Sequence, residues 1–395
     1  MKGSRVWAVA YALVIAAFLA AIGRYYHPAY GFTALIEFPA AGHSYELPAV
    51  QNAPHYDHPH SGGYDGQFYA QMAVEPGLRS AAIDRALDDP PYRAHRILFS
   101  WIAYSAGFGR PSAILQAAAL ENVVVWLALA GLLWYWIPPT SARAFVLWAG
   151  TLLAHGTLMS VRYALPDGLS LLLIALAVLA MEGGRPIVAG AVLGLATLAR
   201  ETAILAGVMF VRLISRPLPV PSPDRPTYVR GWRQAAWAGA LAILPFAVWL
   251  DYLRSIYRGR TLAGGGHITT PFWGLGSEIT SVWRQLSEWS APAFRDDLLA
   301  LVAFLTQAIW IVWRLTRRRE APAWALVAAA FLLLAVLAHP VVWDGAPGAY
   351  TRVAMPLTMG VNVLLARDPR ASWWWIAFAN VGMVPGIALL LSFRW

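Results

Sequence analysis

The chain has 395 residues, of which 58% are hydrophobic and only 13% are charged, and its mean hydropathy is +0.51. Soluble domains carry about 25% charged residues, so half that fraction leaves too little polar surface to face water, and this excludes a soluble fold. The net charge of +9 comes almost entirely from arginine. No basic run outside the membrane flanks has interleaved aromatics, which argues against nucleic acid as a partner.

The apolar residues form continuous blocks rather than an alternating pattern, beginning with the uncharged residues 6–22. About twenty apolar residues span a bilayer, where only helices or closed barrels satisfy the backbone, and continuous blocks are typical of helices. The sequence therefore predicts an all-α bundle of about ten to twelve transmembrane helices, forming a single domain over residues 1–395. The predicted helices are residues 6–22, 112–136, 143–160, 167–181, 186–199, 202–214, 235–253, 298–315, 322–338, 353–366 and 371–392.

The first block also resembles a signal peptide, because Lys2 and Arg5 precede it. No small-residue cleavage site precedes Arg24, and many further spans follow. We therefore expect residues 6–22 to remain as the first helix. The absence of cysteine excludes disulfides and thiol ligands, but it identifies no compartment.

Arginine placement predicts the orientation of the bundle, because cytoplasmic loops carry an excess of basic residues. The segments 212–234 and 314–319 contain five and four arginines and are the predicted cytoplasmic loops. The stretch 23–110 is then a large first extracytoplasmic loop with interfacial helices, and 254–297 is a second extracytoplasmic loop.

Two short apolar segments leave the exact count of spans open. Residues 97–108 are too few to span, so they are read as an interfacial helix beside the first loop. The pair within 186–214 forms either two short crossings or a hairpin whose tip, Arg200-Glu201-Thr202, lies at the outer face.

The first loop contains the motif Gly62-Gly63-Tyr64-Asp65-Gly66-Gln67-Phe68-Tyr69. Glycines on both sides of one acidic residue allow the backbone to bring Asp65 close to a ligand. The carboxylate is a candidate general base or metal ligand, and Tyr64, Gln67 and Tyr69 are candidate substrate contacts. The alternative is a Gly-Asp turn with aromatics at the membrane interface.

Further charged residues on the predicted outer side are candidate ligands for a phosphate or for neighbouring charges, because charges at membrane depth are costly and usually functional. Arg93 and Arg96, three residues apart, share one face if they are helical; interfacial snorkelling is the alternative. The other candidates are Arg162, Asp167, Arg200, Glu201, His267 and Arg352. Ordinary loop, helix-start or charge-neutralising roles are the alternatives for these residues.

A short histidine-rich stretch in the first loop has the residue types of a metal site. His55, Asp57, His58 and His60 supply three imidazoles and one carboxylate within six residues. Because Pro59 restricts the geometry, a solvated loop is the favoured interpretation. No cofactor is firmly predicted, and a divalent metal stays a candidate.

Four motifs resemble a group of bacterial polytopic proteins linked to cell-surface glycopolymer formation, and this group looks like the GT-C superfamily of glycosyltransferases. The motifs are GYDGQFY at 63–69, DPPYRAHRIL at 89–98, RETA at 200–203 and GGGHITTPF at 264–272. The resemblance implies that Asp65 corresponds to the catalytic acidic residue of the first outer loop. Many GT-C loops carry two adjacent acidic residues, whereas Asp65 stands alone, and this leaves metal dependence open.

The resemblance implies a transferase that takes a sugar from a polyprenyl-phosphate donor to an envelope glycan or lipid acceptor. The protein would be a multi-pass protein of the bacterial inner membrane with its active site facing the periplasm, and Asp65 would act as base in an inverting displacement. Two alternatives are a flippase for a lipid-linked sugar and a non-catalytic scaffold for envelope assembly. A flippase is expected to show repeats and midplane charges, and the sequence shows no repeat.

Overall fold

The computed structural model describes residues 2–215, 218–220, 227–229, 231–262, 266–285, 287, 291–317 and 321–393. About 73% of the structure is helical, which confirms the expected all-α class. Residues 216–217, 221–226 and 230 of the segment predicted as a cytoplasmic loop lie outside the described residues, as does part of the glycine-rich motif before His267.

The first 110 residues form one long helix followed by a loop with short helices. The helices are α1 (Lys2–Gly23), α2 (Pro48–Gln51), α3 (Gly66–Val74), α4 (Ala81–Ala86), α5 (Pro90–Arg93) and α6 (Ile97–Ala106), with 3-10 turns at Thr33–Leu35, Ala40–Tyr45 and Ala94–Arg96. Strand β1 (Phe38–Pro39) pairs in parallel with β2 (Asp57–His58). With ten residues, about 15 Å, α6 is too short to cross a bilayer.

The central part contains α7 to α12 and a small hairpin. The helices are α7 (Pro111–Leu133), α8 (Ala142–Leu152), α9 (His155–Arg162), α10 (Asp167–Glu182), α11 (Pro186–Ala199) and α12 (Val211–Ser215), with a 3-10 segment at Glu201–Phe210. Strands β3 (Leu218–Val220) and β4 (Thr227–Val229) pair antiparallel. Proline at the first position of α7 and α11 suits a helix start, because the N–H that proline lacks would have no hydrogen-bond acceptor within the helix at that position.

The C-terminal part contains the remaining helices. These are α13 (Trp232–Ile256), α14 (Trp273–Arg284), α15 (Pro292–Arg317), α16 (Ala323–Val336), α17 (Pro340–Trp343), α18 (Tyr350–Val353), α19 (Met355–Ala366), α20 (Trp373–Asn380) and α21 (Met383–Leu391). Together the helices bury one continuous apolar core.

Within the described residues, five segments are long and apolar enough to cross a membrane: the main part of α1, then α7, α13, α15 and the pair α20–α21. A sixth results if α8 and α9, bent by 44°, form one span. The predicted ten to twelve spans also include blocks that form shorter helices, such as α10 and α11, which do not reach spanning length. Helices α1 and α13 expose large apolar side chains, including Leu13 and Val248, and this surface fits lipid rather than water.

Helix α10 connects two polar ends of the bundle. It begins at Asp167 and ends at Glu182, so its 16 residues rise about 24 Å. At the second end the Arg367 guanidinium donates two hydrogen bonds, of 3.0 and 2.9 Å, to the Glu182 carboxylate. The first end belongs to the candidate site described below.

Helices α11 and α13 pack closely because α11 presents glycines to its partner. A Cβ at Gly190 would overlap the backbone of Ala238, and one at Gly194 would overlap the carbonyl of Leu241. Small residues four apart are the usual means by which membrane helices approach each other.

We expect Gly190→Leu to lower the free energy of unfolding by about 2 kcal/mol, since added methylenes must push the two helices apart. The measurement is the unfolding midpoint of the purified protein in detergent. The matched control is Gly131→Leu in α7, where a Cβ meets nothing within 4 Å. An equal loss of stability in both variants would contradict the packing role of Gly190.

Candidate active site

Asp65 is placed by the close approach of the first loop to the turn after α9. The residue directly precedes α3, and a Cβ at Gly66 would overlap the carbonyl oxygen of Tyr163. The Tyr64 ring stacks on the Tyr163 ring with centroids 4.4 Å apart. Gly66 is therefore required for the position of its neighbour Asp65, because only glycine allows this approach.

The turn after α9 is itself fixed from inside the bundle. The Asn122 amide of α7 donates hydrogen bonds of 2.9 and 2.7 Å to the carbonyls of Ser160 and Leu165. A buried amide with both donors satisfied fixes the segment that it binds. The position of Asp65 thus depends on a polar contact deep in the bundle.

Asp65 lies between two arginines from distant parts of the chain. One carboxylate oxygen is 2.9 Å from Nη2 of Arg93, and the other is 3.5 Å from Nη1 of Arg352. Arg93 also donates hydrogen bonds of 2.9 and 2.7 Å to Asp88. The carboxylate that the sequence singles out is therefore held by cations on both sides.

Two further charges continue this alternation into the bundle. Arg352 also contacts Asp167, with Nη1 3.4 Å from Oδ2, and Asp167 forms an ion pair with Arg200. Asp88, Arg93, Asp65, Arg352, Asp167 and Arg200 thus form a chain of alternating charges. An isolated charge at such depth is costly, so each of these residues stabilises its neighbours.

A second buried pair lies beside the first. Arg96 donates bidentate hydrogen bonds of 3.0 and 2.8 Å to Glu201, which follows α11. The same guanidinium donates to the hydroxyls of Tyr69 at 2.9 Å and Tyr92 at 2.6 Å. With so many of its donors bound, Arg96 has a fixed orientation.

The two arginines determine the protonation of Asp65. Burial alone raises the pKa of its carboxyl, but Arg352 and then Arg93 outweigh burial and hold the pKa below its ordinary value. Burial and Arg96 lower the pKa of His267. At neutral pH the site therefore has an ionised Asp65 and a neutral His267.

These side chains line one cavity of about 880 Å³. Its charged and polar lining includes eight residues predicted from the sequence: Tyr64, Asp65, Arg93, Arg96, Arg200, Glu201, His267 and Arg352. Another part of the lining is apolar and includes Leu334, Val341 and Val342. The cavity can therefore hold a ligand with an anionic part and an apolar part.

Four other predicted residues lie outside the cavity lining. Tyr69 and Asp167 support it, since they bind the arginines that line it. Arg162 instead forms an ion pair of 2.8 Å with Glu37. Gln67 lies in the first turn of α3, one residue after Gly66.

Sequence reasoning missed several lining residues, chiefly Tyr92 and His95. Both belong to the motif that supplied Arg93 and Arg96, so the motif was a usable signal. The apolar lining gave no signal, because apolar residues are ordinary in a membrane bundle.

The four candidate metal ligands separate into two groups. His55 and Asp57 face each other, with His55 Nε2 3.1 Å from Asp57 Oδ1, and both lie beside His43 and Glu46. His58 instead has Nε2 3.2 Å from the carbonyl of Ala34, and His60 is exposed.

Replacing Glu201 by glutamine is expected to lower the free energy of unfolding by about 3 kcal/mol, because it leaves the buried Arg96 without its anion. The measurement is the unfolding midpoint in detergent. The matched control is Asp84→Asn, which breaks the exposed pair of Asp84 with Arg260 and is expected to cost no more than about 1 kcal/mol. An equal loss of stability in both variants would show that the buried Arg96–Glu201 pair stabilises the fold no more than an exposed pair does.

Comparison with known proteins gives one match. The model of glycosyltransferase family 87 matches residues 97–340, and no curated protein or solved structure matches the chain. The matched range includes Arg200, Glu201 and His267, whereas Asp65 precedes it. Because the match covers more than half of the chain, the chain belongs to glycosyltransferase family 87 and is a membrane glycosyltransferase.

Proposed function

We propose that this member of glycosyltransferase family 87 moves a sugar from a polyprenyl-phosphate donor to a cell-envelope acceptor, at the extracytoplasmic face of the bacterial inner membrane. The observation that carries the proposal is the position of Asp65 between Arg93 and Arg352, in a cavity that also has an apolar lining. Family 87 is GT-C-like, which agrees with the resemblance seen in the motifs.

The proposed reaction is a single displacement with inversion. The Asp65 carboxylate takes the proton of an acceptor hydroxyl, and the acceptor oxygen attacks the anomeric carbon of the sugar. The bond between that carbon and the phosphate oxygen breaks, and its electron pair leaves with the polyprenyl phosphate. A positioned base and fixed cations at the leaving oxygen are the two contributions that such a reaction needs.

The four arginines of the cavity are the proposed phosphate ligands. Arg93, Arg96, Arg200 and Arg352 all line the cavity and are held in place by carboxylates. A phosphate that binds among them needs little reorganisation of the protein, which favours binding of the transition state. Tyr64 and His267, which also line the cavity, are the proposed sugar contacts.

Donor binding would also change the strength of the base. In the free protein Arg352 and Arg93 hold the pKa of Asp65 low, which makes the carboxylate a weak base. A phosphate beside the same arginines supplies a competing negative charge and raises the pKa of Asp65. The base would therefore become stronger when the donor is in place.

The apolar lining suits the isoprenoid tail of the donor. Ile268 and Val341 line the cavity and are exposed, so they present apolar surface where the cavity opens. The volume of about 880 Å³ lies within the usual range for small-molecule sites. A sugar phosphate can thus occupy the charged part while its lipid extends along the apolar part.

We expect Asp65→Asn to lower sugar transfer by at least about 100-fold, because the variant lacks the base. The measurement is transfer by purified protein, with radiolabelled polyprenyl-phosphate sugars as donors and an envelope-lipid extract as acceptor source. The configuration of the new bond, determined by NMR, checks inversion.

Asp84→Asn is the control for this experiment, since Asp84 pairs with Arg260 away from the cavity and the variant should keep full activity. A folded Asp65→Asn protein with wild-type activity would exclude Asp65 as the base. Donor binding without transfer by the wild type would favour a flippase or a scaffold instead.

Arg352→Gln is expected to move the acidic limb of the kcat/KM profile to higher pH. In the wild type the charge of Arg352 lowers the pKa of Asp65, so its loss raises that pKa and protonates the base at a higher pH. Arg93→Gln should shift the limb in the same direction. The measurement is kcat/KM for the donor across the acidic range.

The control is Arg260→Gln, which removes an arginine outside the cavity lining and should leave the profile in place. An Arg352→Gln profile that falls in height but keeps its wild-type limb would show that Arg352 does not set the protonation of Asp65.

A further inference from the structure

Four side chains of the first loop form a cluster outside the candidate active site. His43, Glu46, His55 and Asp57, here called the His–carboxylate cluster, each place one nitrogen or oxygen within 4.8 Å of the others. They come from the 3-10 turn Ala40–Tyr45, the residue that follows it, and strand β2 with its approach. None of the four lines the cavity that contains Asp65.

The spacing of the four groups fits a single small cation. His55 Nε2 is 3.1 Å from Asp57 Oδ1 and 3.4 Å from Glu46 Oε2, while His43 Nδ1 is 3.3 Å from Glu46 Oε2 and 3.7 Å from Asp57 Oδ2. A tetrahedral zinc site with bonds of 2.0–2.1 Å has ligand atoms about 3.3 Å apart. The four distances lie around that value.

The inner part of the cluster is buried, and several of its polar atoms lack hydrogen-bond partners. The side chains of Glu46 and His55 are only 2% and 3% exposed. Among the described residues, both carboxylate oxygens of Glu46, Oδ1 of Asp57 and Nε2 of His55 have no hydrogen-bond partner. Buried polar atoms without partners are rare in folded proteins, and a cation bound between these atoms would satisfy them.

The tautomer of His55 also favours a bound cation. Its Nδ1 is 2.8 Å from the carbonyl oxygen of Ala53, and since a carbonyl only accepts, Nδ1 carries the hydrogen. In the neutral ring Nε2 then carries a lone pair and can only accept a hydrogen bond. It faces two carboxylates, which also only accept hydrogen bonds. A backbone carbonyl that orients the far nitrogen is the usual arrangement around a metal-bound histidine.

We propose that the His–carboxylate cluster binds one zinc ion. Two imidazoles and two carboxylates are ligands that zinc accepts, whereas magnesium and calcium prefer oxygen alone. The two carboxylates neutralise the charge of the ion, and one ion satisfies all four groups at once.

The proposed ion has a positioning role rather than a catalytic one. Asp57 pairs with Phe38 across the two parallel strands. Next to Phe38, Glu37 accepts a hydrogen bond of 3.1 Å from the Tyr64 N–H through its carbonyl, and Tyr64 precedes Asp65. The ion would therefore fix the strand pair that supports the Asp65 segment, in a chain that has no cysteine for a disulfide.

The test is metal content and thermal stability of the full-length protein, purified without chelator and without a histidine tag. We expect about one zinc per chain by mass spectrometry, as for a site with four protein ligands. Removal of the metal with a chelator should lower the melting temperature, and zinc chloride should restore it. The variants Glu46→Gln and His55→Ala should lose at least about tenfold in zinc affinity, since loss of even an outer partner costs that much.

The matched control is His60→Ala, which removes an exposed imidazole of the same loop that lies outside the cluster; it should keep wild-type zinc. Wild-type protein that holds no zinc and does not respond to zinc chloride would overturn the proposal, even if the variants do not fold. Equal zinc in wild type and in a folded His55→Ala protein would overturn it as well, and so would a site filled by manganese or calcium in preference to zinc. None of these outcomes depends on the glycosyltransferase assay.

Discussion

Neutralisation of buried charge is the constraint that shapes this protein, because an unpaired charge at the edge of an apolar bundle is too costly to persist. Asp65 from the first loop meets Arg352 from the last quarter of the chain, and Arg352 meets Asp167 at the start of α10. Arg96 from the first loop meets Glu201 between α11 and the segment that follows. The cavity forms only when these distant segments are folded together, so the charges around it also fix how the segments pack.

The sequence predicts which charged residues line the cavity better than it predicts how those residues pair with one another. A charge within an apolar block is conspicuous, so Arg200 and Glu201 could be found from the sequence pattern. The sequence does not say which carboxylate binds which arginine, since that depends on how the helices pack. Tyr69 is predicted as a substrate contact from its motif, and the sequence does not show that its hydroxyl accepts a hydrogen bond from Arg96. The all-α class could likewise be predicted from the continuous apolar blocks. The number of membrane spans could not, because several blocks form helices that are too short to cross a bilayer.

The His–carboxylate cluster shows a second limit of sequence reasoning. The high density of histidines in residues 55–60 predicted His55 and Asp57 as metal ligands. It also predicted His58 and His60, which lie outside the cluster. The parallel pairing of β1 with β2 adds His43 and Glu46 from the chain that connects the two strands. Successive residues of a strand point to opposite faces, so Asp57 and His58 were never equivalent. A pattern of residues that are adjacent in sequence cannot reveal a site whose residues are brought together by strand pairing.

The length of α10 has a consequence for how substrates reach the site. Asp167 and Glu182 are about 24 Å apart along this helix, which is less than the roughly 30 Å depth of the hydrocarbon layer. If α10 crosses that layer, at least one of its two charged ends lies below the lipid headgroups. On the proposed function, a lipid-borne donor reaches its site by lateral diffusion within one leaflet and never has to leave it. The encounter rate is then governed by the number of donor molecules per unit area of membrane, rather than by their concentration in a volume of water.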